Sequence, residues 1–283
     1  MSMNPDQLAM QKHIVAQSGI VKSFEVESCV QHIVKFLADY LRSSGLSCFV
    51  VGVSGGVDSL TTGLLTREAV NYLKAEHKYN AKLIAVRMPY GQQIDSIDAE
   101  QSVKLMQADE SMVLNIKEPA DSLMQSLLEQ GLTFQNDAKK DFILGNIKAR
   151  QRMVALFAIA GAKSGLVVGT DNAAENLVGF STKYGDNAAD VMPLGRLSKR
   201  MVKKVASYLG APDKLVNKVP TADLESLNPQ QSDEDSLGVS YKYIDDFLEG
   251  KAIPLAAYER IIYLWNSSSH KRSMPAMPNP IAN

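Results

Sequence analysis

The chain has 283 residues, enough for one large α/β domain or two small ones, and its 45% hydrophobic content is typical of a globular protein. A formal net charge of -1 removes the general electrostatic argument for a nucleic-acid or anionic-membrane partner. The sequence shows no secretory leader, no apolar run near the ~20 residues of a membrane span, and only two cysteines, Cys29 and Cys48. We therefore expect a cytoplasmic protein that acts on small molecules.

Hydrophobic periodicity divides most of the chain into alternating helices and strands. The predicted helices span residues 24–44, about 60–73 and 146–163, and the predicted strands span residues 48–53, 83–88, 111–116 and 165–170. This alternation predicts an α/β fold with a doubly wound, mostly parallel sheet and helices on both faces. The four strands would share one ligand-binding edge at their carboxyl ends.

The remaining segments predict no second domain. Residues 220–236 are acidic, contain proline and lack periodicity, so they predict a long loop that closes over a ligand together with the segment around Gly91. Residues 1–23 are interpreted as an N-terminal extension and residues 273–283 as a C-terminal tail. The prediction is a single domain over residues 1–283.

The stretch VGVSGGVDSL, residues 51–60, connects a buried strand to a helix through two adjacent glycines. Glycines at the carboxyl end of a parallel strand let backbone N–H groups approach an anion at the positive end of the next helix. No lysine follows Gly55 and Gly56, which excludes a Walker A loop, and the glycine spacing excludes a dinucleotide fingerprint. The hexapeptide SGGVDS instead resembles the pyrophosphate loop of the ATP pyrophosphatases; the alternative is a plain glycine turn before a helix.

Further polar clusters follow the last predicted strand. Asp171 and Glu175 are four residues apart and would share one helix face, either as a second carboxylate cluster or as ordinary first-turn acids. Residues 180–190, FSTKYGDNAAD, could meet substrate through a lysine and aspartates, or could form a solvated surface loop. The basic run at 199–204 by itself is typical of a solvated helix face.

After SGGVDS, six motifs occur in a fixed order: GTDNAAE, GFSTKYGD, LSKR, PTADLE, QQSDEDSLGVSYKYIDDFLEGK and HKR. Over about residues 24–272 the chain thereby resembles the ammonia-dependent NAD synthetases, PP-loop enzymes with an adenine nucleotide alpha hydrolase-like, Rossmann-like fold. The resemblance implies ATP-dependent amidation of deamido-NAD to NAD, through an adenylate, with release of AMP and pyrophosphate. It also implies Mg²⁺ as cofactor and a homodimer with the dinucleotide site at the subunit interface.

The resemblance also assigns roles to individual residues. The residues implied to contact ATP are Gly52, Val53, Ser54, Gly55, Gly56, Val57, Asp58, Ser59, Arg87, Thr170, Lys199 and Thr221. Those implied to contact deamido-NAD are Phe142, Asn146, Arg150, Lys183, Asp186, Asp190, His270 and Lys271. Asp58 and Glu175 would hold Mg²⁺, and the implied catalytic residues are Asp186, Lys199 and Asp58. The chain departs from the pattern at Asn172, in the loop Asn187-Ala188-Ala189, and in the tail SMPAMPNPIAN.

The nitrogen donor and two rival functions follow from what the chain contains. About 45 residues before the first strand cannot hold an amidase domain of ~100 residues, so the expected donor is free ammonia and no glutaminase domain is expected. Another adenylating enzyme, such as a transfer-RNA modifier, would need basic surface or paired cysteines. A non-catalytic nucleotide sensor would lack residues such as Glu175, Lys183 and Lys199.

Overall fold

A four-stranded parallel sheet forms the centre of the fold. The computed structural model describes residues 3–92, 95–221, 224–227, 231–273 and 275–278. The strands are Cys48–Gly52 (β1), Lys82–Arg87 (β2), Glu110–Val113 (β3) and Gly165–Val168 (β4). Their order is β3-β2-β1-β4, and Phe49 of β1 is in register with Leu83 of β2 and Leu166 of β4. All four predicted strands are confirmed, although β3 and β4 end before the predicted residues.

Helices connect the strands and cover the sheet. They span Pro5–Ser18 (α1), Val26–Ser44 (α2), Val57–His77 (α3), Ser96–Met106 (α4), Lys117–Glu129 (α5), Asp137–Lys163 (α6), Ala173–Val178 (α7), Lys199–Tyr208 (α8), Asp213–Val216 (α9), Asp233–Leu237 (α10), Tyr241–Leu248 (α11) and Leu255–Ser267 (α12). Within the described ranges, no helix combines the length and apolarity needed to cross a bilayer.

Alternate residues of β1 enter two different hydrophobic cores. Phe49 and Val51 pack in a cluster that includes buried residues of α2, α3 and α8. Cys48 and Val50 pack on the opposite face, where α6 contributes Ala160. Because successive strand residues point to opposite faces, both faces are buried, as the uninterrupted apolar run requires. The predicted doubly wound sheet is confirmed.

The strand order fixes where a ligand can bind. The chain moves outward from β1 through β2 to β3 and then returns to the other side of β1 as β4. A crevice opens where the connections leave in opposite directions, outside the carboxyl ends of the two strands. The ends of β1 and β4 therefore form the expected ligand edge.

The predicted N-terminal extension contains a docked helix. Asn4 and Gln7 form a reciprocal capping box at the start of α1, with distances of 2.9 Å and 2.8 Å between backbone nitrogen and side-chain oxygen. Ile14 is fully buried in a second core shared with α7, α11 and α12. Gln11 Nε2 donates to the carbonyl oxygens of Phe247 and Lys251 at 3.0 Å and 2.9 Å. The helix is thus an integral layer of the fold.

The prediction of a continuous loop over residues 220–236 is wrong at its C-terminal end. Residues Asp233–Leu237 form α10, and the Ser232 side chain accepts a hydrogen bond from Asp235 N at 3.1 Å. The sequence SDEDS carries both the cap and the acidic first turn that favour a helix start. Thr221 forms an isolated bridge with Ser232. The part of the predicted loop at residues 222–223 and 228–230 lies outside the described residues, and in the predicted C-terminal tail so do residues 274 and 279–283.

We predict that Ile14→Ala lowers the free energy of unfolding by about 2–4 kcal/mol, because truncation leaves a cavity in the second core. The control is Met10→Ala on the same helix, where a side chain 47% exposed should change stability by less than about 0.5 kcal/mol. Urea denaturation followed by circular dichroism measures both. Equal effects of the two substitutions would contradict a docked α1.

Candidate active site

A cleft of about 570 Å³ opens at the carboxyl ends of β1 and β4. Its walls come from the β1–α3 loop, the middle of α6, the loop after α7, the start of α8, and residues 218–221 and 224–225. This volume is within the range of sites for small organic ligands. The position matches the ligand edge expected from the strand order.

The β1–α3 loop lines the cleft at the N-terminus of α3. Gly55 has φ +91°, and a Cβ there would lie 2.9 Å from Ala99 N, so glycine is required for both conformation and space. Ser59 Oγ accepts from Ser54 N at 3.3 Å and donates to the Gly56 carbonyl at 3.1 Å, which holds the turn closed. Gly56 caps α3 without a side chain. The positive end of a 21-residue helix is therefore open toward the cleft, as in a phosphate-binding loop.

Three charged side chains meet where β1 and β4 end. Lys199 Nζ donates to Asp58 Oδ2 at 2.6 Å and to Glu175 Oε1 at 3.0 Å, and the lysine side chain is only 4% exposed. Asp58 lies in the first turn of α3 and Glu175 in the first turn of α7. The interpretation of the 199–204 run as a solvated face is therefore wrong at Lys199, because that side chain points inward between two acids.

The electrostatics of this group are dominated by burial. Burial lowers the pKa of the Lys199 ammonium, but the carboxylates of Asp58 and Glu175 outweigh that effect and hold its pKa above the ordinary value. Burial raises the pKa of Glu175 to about 7, against the attraction of Lys199. Two carboxyl groups share one ammonium, so when both acids are ionised one of their negative charges is not neutralised.

The backbone and ring around Lys199 fix its side chain. Asp245 of α11 accepts hydrogen bonds from the backbone nitrogens of Lys199 and Arg200 at 3.0 Å and 2.8 Å. Lys199 Nζ also lies 4.8 Å from the centre of the Tyr241 ring, a cation–π contact. Tyr241 OH in turn donates to Asp233 Oδ2 at 3.0 Å. Asp245, Tyr241 and Asp233 occur in the motif YKYIDDFLEG and the acidic run before it, but the sequence does not indicate which member faces the lysine.

Asn172 joins the two strand ends directly. Its Nδ2 donates to Asp58 Oδ1 at 2.9 Å, while its Oδ1 accepts from the backbone nitrogens of Ala174 and Glu175 at the start of α7. Because α7 begins at Ala173, the prediction that Asp171 and Glu175 share a helix face is wrong. Asn172 is the helix cap, and Glu175 completes a capping box with it through Asn172 N.

A second polar group lines the opposite wall of the cleft. Asp186 Oδ1 accepts from Thr182 N at 2.7 Å, and Thr182 Oγ1 donates to Asn146 Oδ1 of α6 at 2.9 Å. Lys271 Nζ donates to the carbonyl oxygens of Gly179 and Ser181, which fixes the loop that carries Asp186. Asp186 stays accessible to water inside the cleft, yet desolvation by the surrounding protein raises the pKa of its carboxyl. The hydrogen bond from Thr182 and the positive charges of Lys271 and Arg152 act in the opposite direction.

Most of the predicted site residues line this one cleft. They are Gly52, Val53, Ser54, Gly56, Val57, Asp58, Ser59, Thr170, Glu175, Lys199 and Thr221 on the phosphate-loop side, and Phe142, Asn146, Asp186 and Lys271 on the α6 side. The roles that the sequence assigned to them stay predictions. Their convergence is a property of the fold.

Other predicted residues lie outside the cleft lining. Gly55 belongs to the loop but packs against α4, Arg87 forms an ion pair with Glu100 at 3.0 Å, and Asp190 Oδ2 accepts from Val167 N at 2.7 Å. Arg150 donates to the Lys183 carbonyl oxygen at 3.2 Å, which ties α6 to the loop after α7. The Lys183 side chain lies 5.2 Å from the Tyr184 ring, and His270 is exposed in a 3₁₀ turn, Ser269–Lys271.

Lys218 and Asp171 also line the cleft. The sequence did not single out Lys218, and it gave Asp171 only as a member of a possible carboxylate cluster with Glu175. Lys218 Nζ contacts the Gly55 carbonyl oxygen at 3.3 Å and carboxylates of Asp95 and Asp98 at 2.5 Å and 3.0 Å, so it joins the phosphate loop to the start of α4. Asp171 follows Thr170 at the end of β4 and is 5% exposed. A basic residue before PTADLE and an acid beside GT were the only signals for them in the sequence.

We predict that Lys199→Met destabilises the ligand-free protein by about 3 kcal/mol at about pH 8, because it leaves two acids without their shared cation. The folded-state pKa of Glu175, already raised to about 7, should rise further in the variant. The folded variant then binds more protons than the unfolded chain, so its stability falls as pH rises from the ordinary carboxyl range through the raised pKa.

The loss should therefore be smaller at about pH 5.5 than at about pH 8. Urea unfolding at both pH values, in buffer with a chelator, measures it. The exposed Lys204 on the same helix gives the control Lys204→Met, for which we expect little change at either pH. A pH-independent loss in Lys199→Met would contradict the shared-cation interpretation.

Comparison with known proteins identifies the family. The NAD synthase family model matches residues 29–275. The NH(3)-dependent NAD(+) synthetase of Paraburkholderia phytofirmans is 49% identical, over 96% of this chain and 95% of that protein. The crystal structure of NAD+ synthetase from Burkholderia pseudomallei is 43% identical, with a TM-score of 0.82 over 96% of this chain and 99% of the other.

A further solved relative is named for a different activity. The NMN synthetase of Francisella tularensis is 34% identical, with a TM-score of 0.79 over 91% of this chain and 100% of the other. The family resemblance predicted from the ordered motifs is confirmed by the family match and by the near-complete coverage of these relatives. This chain belongs to the NAD synthase family.

Proposed function

We propose that this protein converts deamido-NAD to NAD, using ATP and ammonia and releasing AMP and pyrophosphate, the last step of NAD biosynthesis. The observation that carries the proposal is the meeting of Asp58, Glu175 and Lys199 beside an open phosphate loop. A relative named NH(3)-dependent NAD(+) synthetase, 49% identical along nearly its whole length, supports the same activity and the same nitrogen donor.

The phosphate-loop side of the cleft suits a nucleoside triphosphate. The α3 N-terminus and the loop amides can receive the departing phosphates, and Lys199 lies at the adjoining strand end. In the first step, an oxygen of the nicotinate carboxylate attacks the α-phosphorus and the bond to pyrophosphate breaks. A buried, fixed ammonium stabilises the charge that develops on the phosphates without having to reorient.

The chemistry of the acids fits Mg²⁺ bound together with substrate. Within the described ranges, no group of three or more His, Cys, Asp or Glu could hold a metal ion by itself. Mg²⁺ commonly uses one or two carboxylates and takes its other ligands from phosphates and water, which corresponds to Asp58 and Glu175 beside the phosphate loop. When bound, the ion would neutralise triphosphate charge, and Lys199 would exchange part of its contact with the two acids for phosphate oxygens.

The second step joins nitrogen to the activated carboxyl group. Ammonia attacks the carbonyl carbon, the carbon–oxygen bond to AMP breaks, and the nitrogen loses a proton. Asp186 lies on the α6 side of the cleft, where its Oδ1 is held by Thr182 N at 2.7 Å. Its raised pKa makes it a better proton acceptor than an ordinary aspartate, so it is our candidate for positioning ammonia.

The α6 side of the cleft provides the surface for the nicotinate nucleotide. Phe142 and Asn146 lie one turn apart, and Arg150, one further turn along, fixes the loop that carries Lys183. Deamido-NAD and the deamidated mononucleotide share the nicotinate ring that must react. The mononucleotide is the second candidate substrate because a 34% identical relative is named NMN synthetase.

An apolar stripe on α6 supports the proposed homodimer. Val154 and Phe157 are 55% and 36% exposed, and Ala158 and Gly161 continue the same face at helical spacing. A Cβ built on Gly161 meets no atom within 4 Å, so a second helix could approach closely there. The stripe extends the face that carries Arg150, and pairing two copies along it would bring the α6 side of each cleft to the interface.

A cytoplasmic location and the absence of a nucleic-acid or membrane partner remain part of the proposal. Cys29 and Cys48 are both free thiols, which suits a reducing compartment. The near-neutral net charge gives no general attraction to polyanions.

The first test is a product assay on the purified protein. With ATP, Mg²⁺, deamido-NAD and an ammonium salt, we expect NAD, AMP and pyrophosphate in equal amounts, with NAD dependent on ammonium. Chelation of Mg²⁺ should abolish pyrophosphate release, since without the cation the carboxylates of Asp58 and Glu175 would repel the triphosphate.

Replacing deamido-NAD with nicotinic acid mononucleotide separates the two candidate substrates. A higher kcat/KM for the mononucleotide would favour the second candidate. AMP release driven only by other carboxylates or by RNA would leave an adenylating enzyme of another kind, and no release with any substrate would favour a nucleotide sensor.

We predict that Phe157→Asp converts a dimer into a monomer, because it places a charge in the apolar stripe. Sedimentation velocity measures the change. The control is Tyr263→Asp on α12, where an aromatic residue 62% exposed lies outside the stripe and its replacement should leave the dimer intact. A monomeric wild-type protein at micromolar concentration would refute the dimer directly.

A further inference from the structure

Asp171 is a buried acid, and its Oδ2 atom has no hydrogen-bond partner among the described residues. The residue is 5% exposed and it lines the cleft. Leaving a buried polar atom unsatisfied costs about 1–3 kcal/mol, and more for a charged one. A protein that retains such an atom in its active-site cleft has a reason to supply an acceptor there.

The charges around Asp171 call for a cation. Burial and the negative charges of Asp186, Glu175 and Asp58 raise the pKa of its carboxyl, and Lys199 opposes them. Lys199 is already held by Asp58 and Glu175 at 2.6 Å and 3.0 Å. The acceptor on Asp171 is thus suited to a small ligand that brings positive charge and N–H donors.

The location of Asp171 favours ammonium over a metal ion as its ligand. Its charged neighbours come from both halves of the cleft: Asp186 from the α6 side, and Glu175 and Asp58 from the phosphate-loop side. The carbonyl carbon of the adenylate must lie between these halves, since it joins the nicotinate ring to AMP. A metal ion serves the phosphates, whereas the nitrogen substrate must be delivered at this junction.

We propose that Asp171 binds the nitrogen substrate as ammonium and, opposite Asp186, holds it for attack on the adenylate. The inference rests on the proposed amidation and adds a residue to it. Ammonium gives one proton to the Asp171 carboxylate, and the resulting ammonia forms the new carbon–nitrogen bond. The carbon–oxygen bond to phosphate breaks, its electron pair leaves with AMP, and the second proton lost from nitrogen passes to Asp186.

The decisive variant is Asp171→Asn, which keeps the size and removes the charge. Two reactions of the full-length enzyme are compared: exchange of labelled pyrophosphate into ATP with deamido-NAD in the absence of ammonium, and NAD formation as a function of ammonium concentration. We expect exchange to stay within about threefold of wild type, whereas kcat/KM for ammonium falls about 100-fold, the lower range for loss of a general base.

A second nucleophile distinguishes a role of Asp171 in binding ammonium from a purely structural role, which would affect both nucleophiles equally. Hydroxylamine is largely uncharged at neutral pH and needs neither a counter-charge nor prior loss of a proton. Asp171→Asn should therefore lose much less activity with hydroxylamine than with ammonium. An equal loss with both nucleophiles would overturn the proposal, as would an unchanged dependence on ammonium.

The matched control is Asp109→Asn, which alters an acid paired with Arg67 at 3.0 Å and Lys74 at 3.1 Å, away from the cleft lining. It should leave kcat/KM for ammonium unchanged. Equal losses of exchange and NAD formation in Asp171→Asn would instead assign the residue to ATP or metal binding and overturn the inference.

Folding of the variant is checked by circular dichroism and thermal unfolding. The substitution removes a negative charge that Asp186, Glu175 and Asp58 repel, so we do not expect it to destabilise the ligand-free protein. If Asp171→Asn fails to fold, Asp171→Ser is measured in the same way with the same expected and opposing outcomes. A wild-type enzyme that makes no NAD would refute the proposed function itself, whereas an active wild type with an unaffected variant refutes only the role of Asp171.

Discussion

The contact of one ammonium with two carboxylates determines how the active-site cleft is assembled. Lys199 comes from the start of α8, Asp58 from the first turn of α3 and Glu175 from the first turn of α7. Because β1 and β4 are adjacent, their connections leave the sheet at one edge and the acids can reach a common cation. Burial strengthens these interactions and also makes their loss expensive. The same three groups are therefore held in place beside the phosphate loop, where the proposed function puts a triphosphate.

The surrounding structure restricts this group to one arrangement. Asn172 connects Asp58 to the cap of α7, and Asp245 anchors the backbone at the start of α8. The opposite wall depends on a different set of contacts, from Thr182 to Asp186 and Asn146. A reaction that first breaks a phosphate bond and then forms an amide requires two environments within one cleft. Under the proposed function, the strand edge serves the first step, and α6 with its adjoining loop serves the second.

Sequence reasoning predicted the sheet, its faces and the phosphate loop because those features depend on local patterns. A continuous apolar run specifies a strand buried on both sides, and the loop residues are contiguous in the chain. It failed at α10, whose cap signal lies within an acidic segment. The charge run taken alone also gave a solvated helix face for Lys199, because the burial of this lysine depends on two acids that are distant in sequence. Nor could the sequence show that Asp171 is buried in the cleft or that Asp245 holds the start of α8. An aspartate carries no local sign of whether its partner is water, a backbone amide or nothing, and only tertiary packing decides it.

Contacts of α1 connect the start of the chain to the residues that hold the active-site cleft. Gln11 donates a hydrogen bond to the carbonyl oxygen of Phe247 in α11. Phe247 lies two residues after Asp245, which accepts a hydrogen bond from the backbone nitrogen of Lys199. These residues of α1 precede the range 29–275 matched by the family model. A shortened protein that keeps only the matched range would retain every cleft residue named here yet lose the layer against which α11 rests. The packed fold therefore begins upstream of residue 29, where the match to the family model starts.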